Sequence, residues 1–436
     1  MVAATSALVV AGLIAVGTAG PVHAVAPRCG ITPAPAADIA SVPWPQLRYD
    51  LAQLSQISDG RGVTVAVVDS GVDARHPQLR GRVRKGSDLL DASGDGRLDC
   101  VGHGTAVASI IAAGPAEQAG LRGLAAGVSI LPIRVSERVE ADGTVSGRGL
   151  DAAGLADGLR AAIAHGATVV NVSISVARDD PTLRRAVEDA LAADVVIVAA
   201  VGNQHDRGDP TPYPAAYPGV VGVGSIGPDG ARAAASQVGS YVDIVAPGEG
   251  VVGAVPGQGH IGWSGTSFAT PFVSATAALI RAHRPELRQA DVVRRLLATT
   301  DPAPARRPSP EYGSGVLNPI RAVTEVLPSA PTIREEVQRS AGSGPTPANT
   351  GPAPALGRAL AIASALVTAA LVIGVSAAAV PMGRRRRWRP GRRPALPATA
   401  PPAIAPPAMA PPAMAPPAMA ADDAPTPGTV QLHARP

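Results

Sequence analysis

Val63-Thr64-Val65-Ala66-Val67-Val68-Asp69-Ser70-Gly71 is the stretch on which the fold turns. Its first six residues are apolar or β-branched without polar alternation, the pattern of a strand buried on both faces of a parallel sheet, and they run straight into an acid and a Ser-Gly turn. Four later stretches have the same character: Ser129 to Val135, Thr168 to Ile174, Val195 to Ala200 and Gly219 to Gly224. Between them, His103 to Ala113, Leu150 to His165 and Pro181 to Ala193 read as helices. Alternating strands and helices predict an α/β domain of three layers with a mainly parallel sheet, whose active crevice lies at the carboxyl ends of the strands. A further helix, Ser267 to about His283, is apolar on nearly every side and is expected to run through the core; an amphipathic one, roughly Arg288 to Thr299, completes the globule.

Composition narrows the function. The chain has 436 residues and a formal charge of +4, but seven arginines lie in one block between Arg384 and Arg393. Outside that block the balance is near neutral and no aromatic-and-basic interleaving occurs, which argues against nucleic acid as a partner. Aromatic residues make up 2% of the chain, so the core must be built from Ala, Val, Leu and Ile. Two cysteines, Cys29 and Cys100, are too few for a zinc site without histidines at ligand spacing, and in an exported chain they are expected to form one disulfide.

Export is read from the N-terminus. Residues 1–24 have the small apolar run and the Val22-His23-Ala24 cleavage pattern of a signal peptide, although the basic residue expected near its start is missing, which leaves a truncated start or an uncleaved anchor open. Residues 25–60 read as an extended arm rich in proline, with a short helix around Tyr49 to Ile57, and residues 61–326 as the globular domain. Residues 327–358 form a Pro/Ala-rich linker, and 359–380 is an uncharged segment long enough to cross a bilayer. Arg384 to Arg387 follow it, so the positive-inside rule places the domain before the span outside the cytoplasm and the tail, 381–436, inside. That tail ends in Pro-Pro-Ala-(Ile/Met)-Ala repeats, expected to be disordered.

Three segments each end an element on a reactive side chain. Asp69 closes the first strand, His103 opens a helix within Gly102-His103-Gly104-Thr105, and Ser267 stands at a loop-to-helix junction in Gly265-Thr266-Ser267-Phe268-Ala269-Thr270-Pro271. Each has a plain alternative: a turn aspartate, a helix-start histidine, a helix N-cap serine. Together they form an acyl-transfer triad, in which an acid orients an imidazole and the imidazole takes the proton of an attacking hydroxyl. The glycines beside His103 are expected to admit a substrate backbone.

In this order, and with these local sequences, the three segments resemble the subtilisin-like serine proteases over roughly Asp50 to Val326. The resemblance implies a subtilisin-like fold, a protein or peptide substrate and no cofactor. It makes Asn203 the side-chain donor of an oxyanion hole, with the Ser267 N–H beside it. It also makes Ser173, Ile174 and Ser175 one wall of the primary specificity pocket, with Ala199, Ala200 and Gly202 in the other. Many relatives carry Gly where Ser175 stands, which implies a narrower or more polar pocket. The 44 residues between Ala24 and Asp69 are too few for a separately folded inhibitory prodomain, so the arm is expected to be retained. No metal site is expected: the run Asp88, Asp91, Asp95, Asp99 reads as a solvated acidic loop in preference to a cation site. The anchored architecture is similar to that of the mycosins, which implies association with a type VII secretion membrane complex. It also implies a second kind of role, as a stabilising component of that complex independent of proteolysis.

Overall fold

The computed structural model describes residue 29 and residues 33–141, 144–304 and 307–328. The signal segment, the span at 359–380 and the repeat tail lie outside the described residues, and among those described no helix is long and apolar enough to cross a membrane.

Eleven strands and eight helices are described: α1 Trp44–Tyr49, α2 Leu51–Ile57, β1 Thr64–Asp69, β2 Ser87–Asp88, α3 His103–Ala112, β3 Ser129–Arg134, β4 Val139–Ala141, β5 Thr144–Ser146, α4 Ala152–Ala164, β6 Val169–Val172, α5 Pro181–Ala192, β7 Val196–Ala200, β8 Val221–Ile226, β9 Ile244–Pro247, β10 Val251–Ala254, β11 His260–Trp263, α6 Thr266–His283, α7 Gln289–Ala298 and α8 Pro319–Thr324. Seven strands form one sheet in the order β2-β3-β1-β6-β7-β8-β9, and every pairing in it is parallel. The expected α/β fold with a parallel sheet is present.

The sheet is buried on both faces because β1 alternates small apolar side chains to either side. Val65 and Val67 enter one core with α3 and α6, while Ala66 and Val68 enter the other with α4 and α5. The α6 segment is buried from Phe268 through Ile280, as its all-round apolarity predicts. Strand order reverses at β1, where the chain moves outward to β3 and then returns to β6 on the opposite side. A crevice opens at the carboxyl end of such a switch, and β1 delivers Asp69 there.

The arm differs from the single short helix expected. It holds two helices broken at Asp50, which takes φ 40° and caps α2 through its side chain to the Gln53 N–H. Upstream, the arm lies along the body: Ala36 N–H donates to Gln258 O, His260 N–H to Ala37 O and Gly120 N–H to Ile39 O. Gln78 gives both amide hydrogens to Gly114 O and Leu121 O, so its oxygen must accept from His260 Nε2 and leaves Nδ1 to accept from Ile39 N–H. Cys29 and Cys100 form the expected disulfide, with Cα atoms 5.1 Å apart and a sequence separation of 71. Closing a loop of that length restricts the unfolded chain by about 4 kcal/mol in the chain-entropy account. Cys29→Ser with Cys100→Ser is therefore expected to lower unfolding stability by a few kcal/mol, read as a lower urea midpoint of the full-length chain.

Candidate active site

The acid and the imidazole meet because β1 ends where α3 begins. Asp69 is 1% exposed, and its Oδ1 accepts from the Ser70 N–H at 2.7 Å and from His103 Nδ1 at 2.7 Å. A carboxylate can only accept here, so Nδ1 carries the proton and Nε2 presents its lone pair to the cleft. Burial pulls the His103 pKa down, but the charge and hydrogen bond of Asp69, with a smaller contribution from Asp99, hold it above the ordinary histidine value. The ring is flanked by Phe268, at 4.9 Å between centroids, and edge-on by Trp263 at 6.5 Å.

Of the two glycines beside His103, Gly104 serves the protein's own backbone, and Gly102 takes φ 85° at the N-cap of α3. A Cβ on Gly104 would sit 2.1 Å from Gly71 O, so only glycine lets α3 approach the turn after Asp69 this closely.

Ser267 is the second residue of α6 and not its cap. Four residues on, Pro271 has no N–H to close the helical bond to Ser267 O, and Ser173 Oγ donates to that carbonyl instead at 3.2 Å. Ser173 Oγ itself accepts from Asn171 Nδ2 at 2.9 Å, and Asn171 Oδ1 accepts from Ser274 Oγ, so a buried polar chain ties β6 to α6 beside Ser267. Ser267 Oγ donates to Ser173 O at 3.2 Å. It is not hydrogen-bonded to His103 in this state, although both line the same cleft of about 770 Å³. Catalytic hydrogen bonds of this kind commonly form only once substrate is bound.

Asn203 stands beyond the end of β7 with its Oδ1 accepting from the Thr266 N–H at 2.9 Å. That bond fixes the amide, leaving Nδ2 as the free donor next to the α6 N-terminus. A Cβ on Gly265, which has φ 137°, would come within 3.1 Å of Nδ2, so this glycine keeps the donor uncovered. Asn203→Ala is expected to lower kcat by about 10²–10³-fold, with KM little altered, because the donor acts where charge develops. Steady-state hydrolysis of a peptide substrate reads this directly.

Ser173, Ile174, Ser175, Ala200 and Gly202 all line the cleft, and Ser175 is exposed in it. Ala199 does not: it is fully buried, its side chain packed in the core between the sheet and α4–α5, since successive strand residues face opposite ways. The acidic run is also corrected. Asp88 is buried against the buried Arg134 at 2.5 Å, and Asp99 is buried among donors from the α3 N-terminus, so neither belongs to a solvated loop. Among the described residues no group of His, Cys, Asp and Glu side chains is placed to hold a metal ion. Ser70, Thr105, Trp263 and Phe268 complete the surroundings of the site and carry no signal that spacing alone would single out.

A parallel sheet that sends an acid from one strand end, a histidine from a helix start and a serine from a buried helix, in that chain order, is the design of subtilisin-like serine proteases. The chain belongs to the subtilase family, whose model matches residues 60–315, and to the mycosins within it. It is 36% identical over 387 residues to Mycosin-4 of Mycobacterium tuberculosis (strain ATCC 25618 / H37Rv), covering 79% of this chain and 82% of that one. To Subtilisin NAT of Bacillus subtilis subsp. natto it is 35% identical over 266 residues, covering 61% of this chain and 66% of the relative's length. Among solved structures, MycP1 from the ESX-1 type VII secretion system superposes with a TM-score of 0.60 at 29% identity, covering 70% of this chain and 92% of that one.

Proposed function

We propose that this chain is a membrane-anchored serine endopeptidase, acting outside the cytoplasm on protein or peptide substrates in association with a type VII secretion membrane complex. The observation that carries the reading is the 2.7 Å pairing of Asp69 with His103 Nδ1, which turns Nε2 toward the cleft that Ser267 and Asn203 share. In the first half of the reaction His103 Nε2 takes the Ser267 Oγ proton as the oxygen attacks the scissile carbonyl, and Asp69 steadies the imidazolium. Asn203 Nδ2 and the Ser267 N–H hold the oxyanion, and His103 returns the proton to the leaving amine. Water, activated by the same imidazole, then releases the acyl group. Ser175, exposed on the wall of the cleft, restricts the residue accepted before the cut bond to small side chains; a peptide library cleaved equally well after bulky residues would refute this.

The membrane span and the secretion complex rest on the apolar segment 359–380 with its arginine block, and on the likeness to MycP1, a protein of the ESX-1 type VII secretion system. A second reading, a mainly stabilising component of the complex, rests on the same likeness to MycP1 from the ESX-1 type VII secretion system and needs no bond between Ser267 and His103. The deciding experiment is labelling of the full-length chain with a fluorophosphonate, beside Ser267→Ala and His103→Ala. Labelling of the unsubstituted chain alone supports the protease; a folded chain that stays unlabelled moves the stabilising role to the front.

A further inference from the structure

We propose that Asp99 is a positioning residue of the site: acting through Ser70 and the first turn of α3, it holds His103 against Asp69. The proposal rests on the serine protease reading above for its catalytic consequence.

Asp69 ends β1 and His103 opens α3, 34 residues apart, and a single side-chain hydrogen bond joins them. One bond between a strand end and a helix start does not fix the angle at which they meet. The bonds that do so converge on Asp99. Its Oδ1 accepts from Ser70 Oγ at 2.9 Å, from Val101 N at 3.1 Å and from Gly102 N at 2.8 Å. Its Oδ2 accepts from Thr105 N at 2.8 Å and Thr105 Oγ1 at 2.6 Å. Ser70, adjacent to Asp69, accepts in turn from the N–H of Gly104, adjacent to His103, at 2.9 Å. The residue after the acid and the residues on both sides of the imidazole therefore share one carboxylate, which is 2% exposed.

The chemistry of the donors requires that carboxylate. Each Asp99 oxygen faces at least one backbone N–H, which can only donate, and Ser70 Oγ and Thr105 Oγ1, each accepting from an amide elsewhere, have their hydrogens left to give to the same carboxylate. All five groups donate, and a proton on either Asp99 oxygen would face a donor. The N-cap of α3 is Gly102, which has no side chain to cap with, and the Asp99 carboxylate takes that place, where the helix dipole favours negative charge. Burial raises the Asp99 pKa, and the hydrogen bonds from Thr105, Gly102 and Ser70 oppose that rise. Asp69 is hydrogen-bonded to His103 and Asp99 adds a smaller charge effect on it, with Arg138 and Glu249 the other charged residues lining the cleft; α6 and β11 present the uncharged Phe268 and Trp263.

Two substitutions separate positioning from fold maintenance. Asp99→Asn keeps the shape but must point an N–H at a donor; Ser70→Ala removes the link to Gly104 and leaves the charge and the cap. Both are made in the full-length chain, and kcat, KM and the pH profile on a peptide substrate are measured per active site titrated with fluorophosphonate. The His103 imidazole is titrated in parallel by NMR of histidine-labelled protein. Asp99→Asn is expected to lower kcat by about 100-fold, the scale of an ångström-sized misplacement, with KM nearly unchanged. Its acid limb and its His103 titration should both move to lower pH, since a charge that holds the imidazole protonated is gone. Ser70→Ala should lower kcat by about 10-fold with the acid limb unmoved. The proposal is overturned if Asp99→Asn lowers only the number of titratable sites while kcat per site and the His103 titration stay at the parent values. Should Asp99→Asn fail to fold, an unchanged kcat in Ser70→Ala overturns it equally. If the parent chain neither labels nor cleaves, the protease reading fails, and the His103 titration still decides whether Asp99 sets the imidazole's charge.

Discussion

Replacing Ser267 by alanine is expected to abolish peptide hydrolysis, with kcat falling on the order of 10⁶-fold, the scale seen when a triad of this type loses its nucleophile. The residual rate would come from the oxyanion donors and from binding. The substitution should leave the fold intact, because the Ser267 side chain makes one hydrogen bond, at 3.2 Å to Ser173 O, on a face open to the cleft. Thermal unfolding of Ser267→Ala should thus match the parent, and KM for a peptide should change little. In cells, the same variant separates the two readings. If secretion is restored by Ser267→Ala in a strain lacking the chain, the stabilising role suffices for secretion; if it is not, hydrolysis is required. A Ser267→Ala chain that still cleaved at the parent rate would remove Ser267 from the mechanism altogether.

Asp69→Asn is expected to lower kcat by about 10⁴-fold while the protein stays folded. Asp69 Oδ1 receives both Ser70 N–H and His103 Nδ1, and Oδ2 is buried without a hydrogen-bond partner among the described residues. An asparagine that keeps its oxygen toward those two donors preserves the tautomer but loses the charge that stabilises the imidazolium, and it buries an amide with no acceptor. The flipped amide points N–H at N–H. Either way His103 becomes a weaker base. The pH profile carries an independent mark: His103 sits above the ordinary histidine value in the parent, so its acid limb lies above about pH 6.5. Without the Asp69 charge, burial dominates and the limb moves down. General-base catalysis needs the neutral ring, so activity in the parent is present above the limb and lost as pH falls through it. A limb in Asp69→Asn at or above the parent position would contradict this account.

Much of this architecture is legible from apolar continuity. The run Val63 to Val68 can be a strand only if both faces are covered, and the all-round apolarity of α6 leaves it nowhere but the core; both readings hold to within a residue or two. The outer strands were less visible. β2 is two residues long, too short for a periodic signal, β9 ends on Pro247, and the β10–β11 hairpin is defined by its pairing and not by its composition. At the site, Asp69, His103, Asn203 and Ser267 share the cleft with Ser175, whereas Ala199 was misplaced because a strand residue one position along points to the other face. Asp99 shows why a charge run misleads: composition records four acids, and only the fold shows that two of them are buried against donors from distant segments.

The disulfide has a topological consequence for any cleavage of the arm. Cys29 and Cys100 lie on either side of the arm helices and β1. Hydrolysis of any single peptide bond from Gly30 through Asp99 therefore yields two polypeptides that remain one covalent molecule, heavier by one water. Such a clipped form would migrate as a single species until reduced, when it would part into two bands. Trimming of the arm within this loop would change the number of chain ends while the segment stayed on the body.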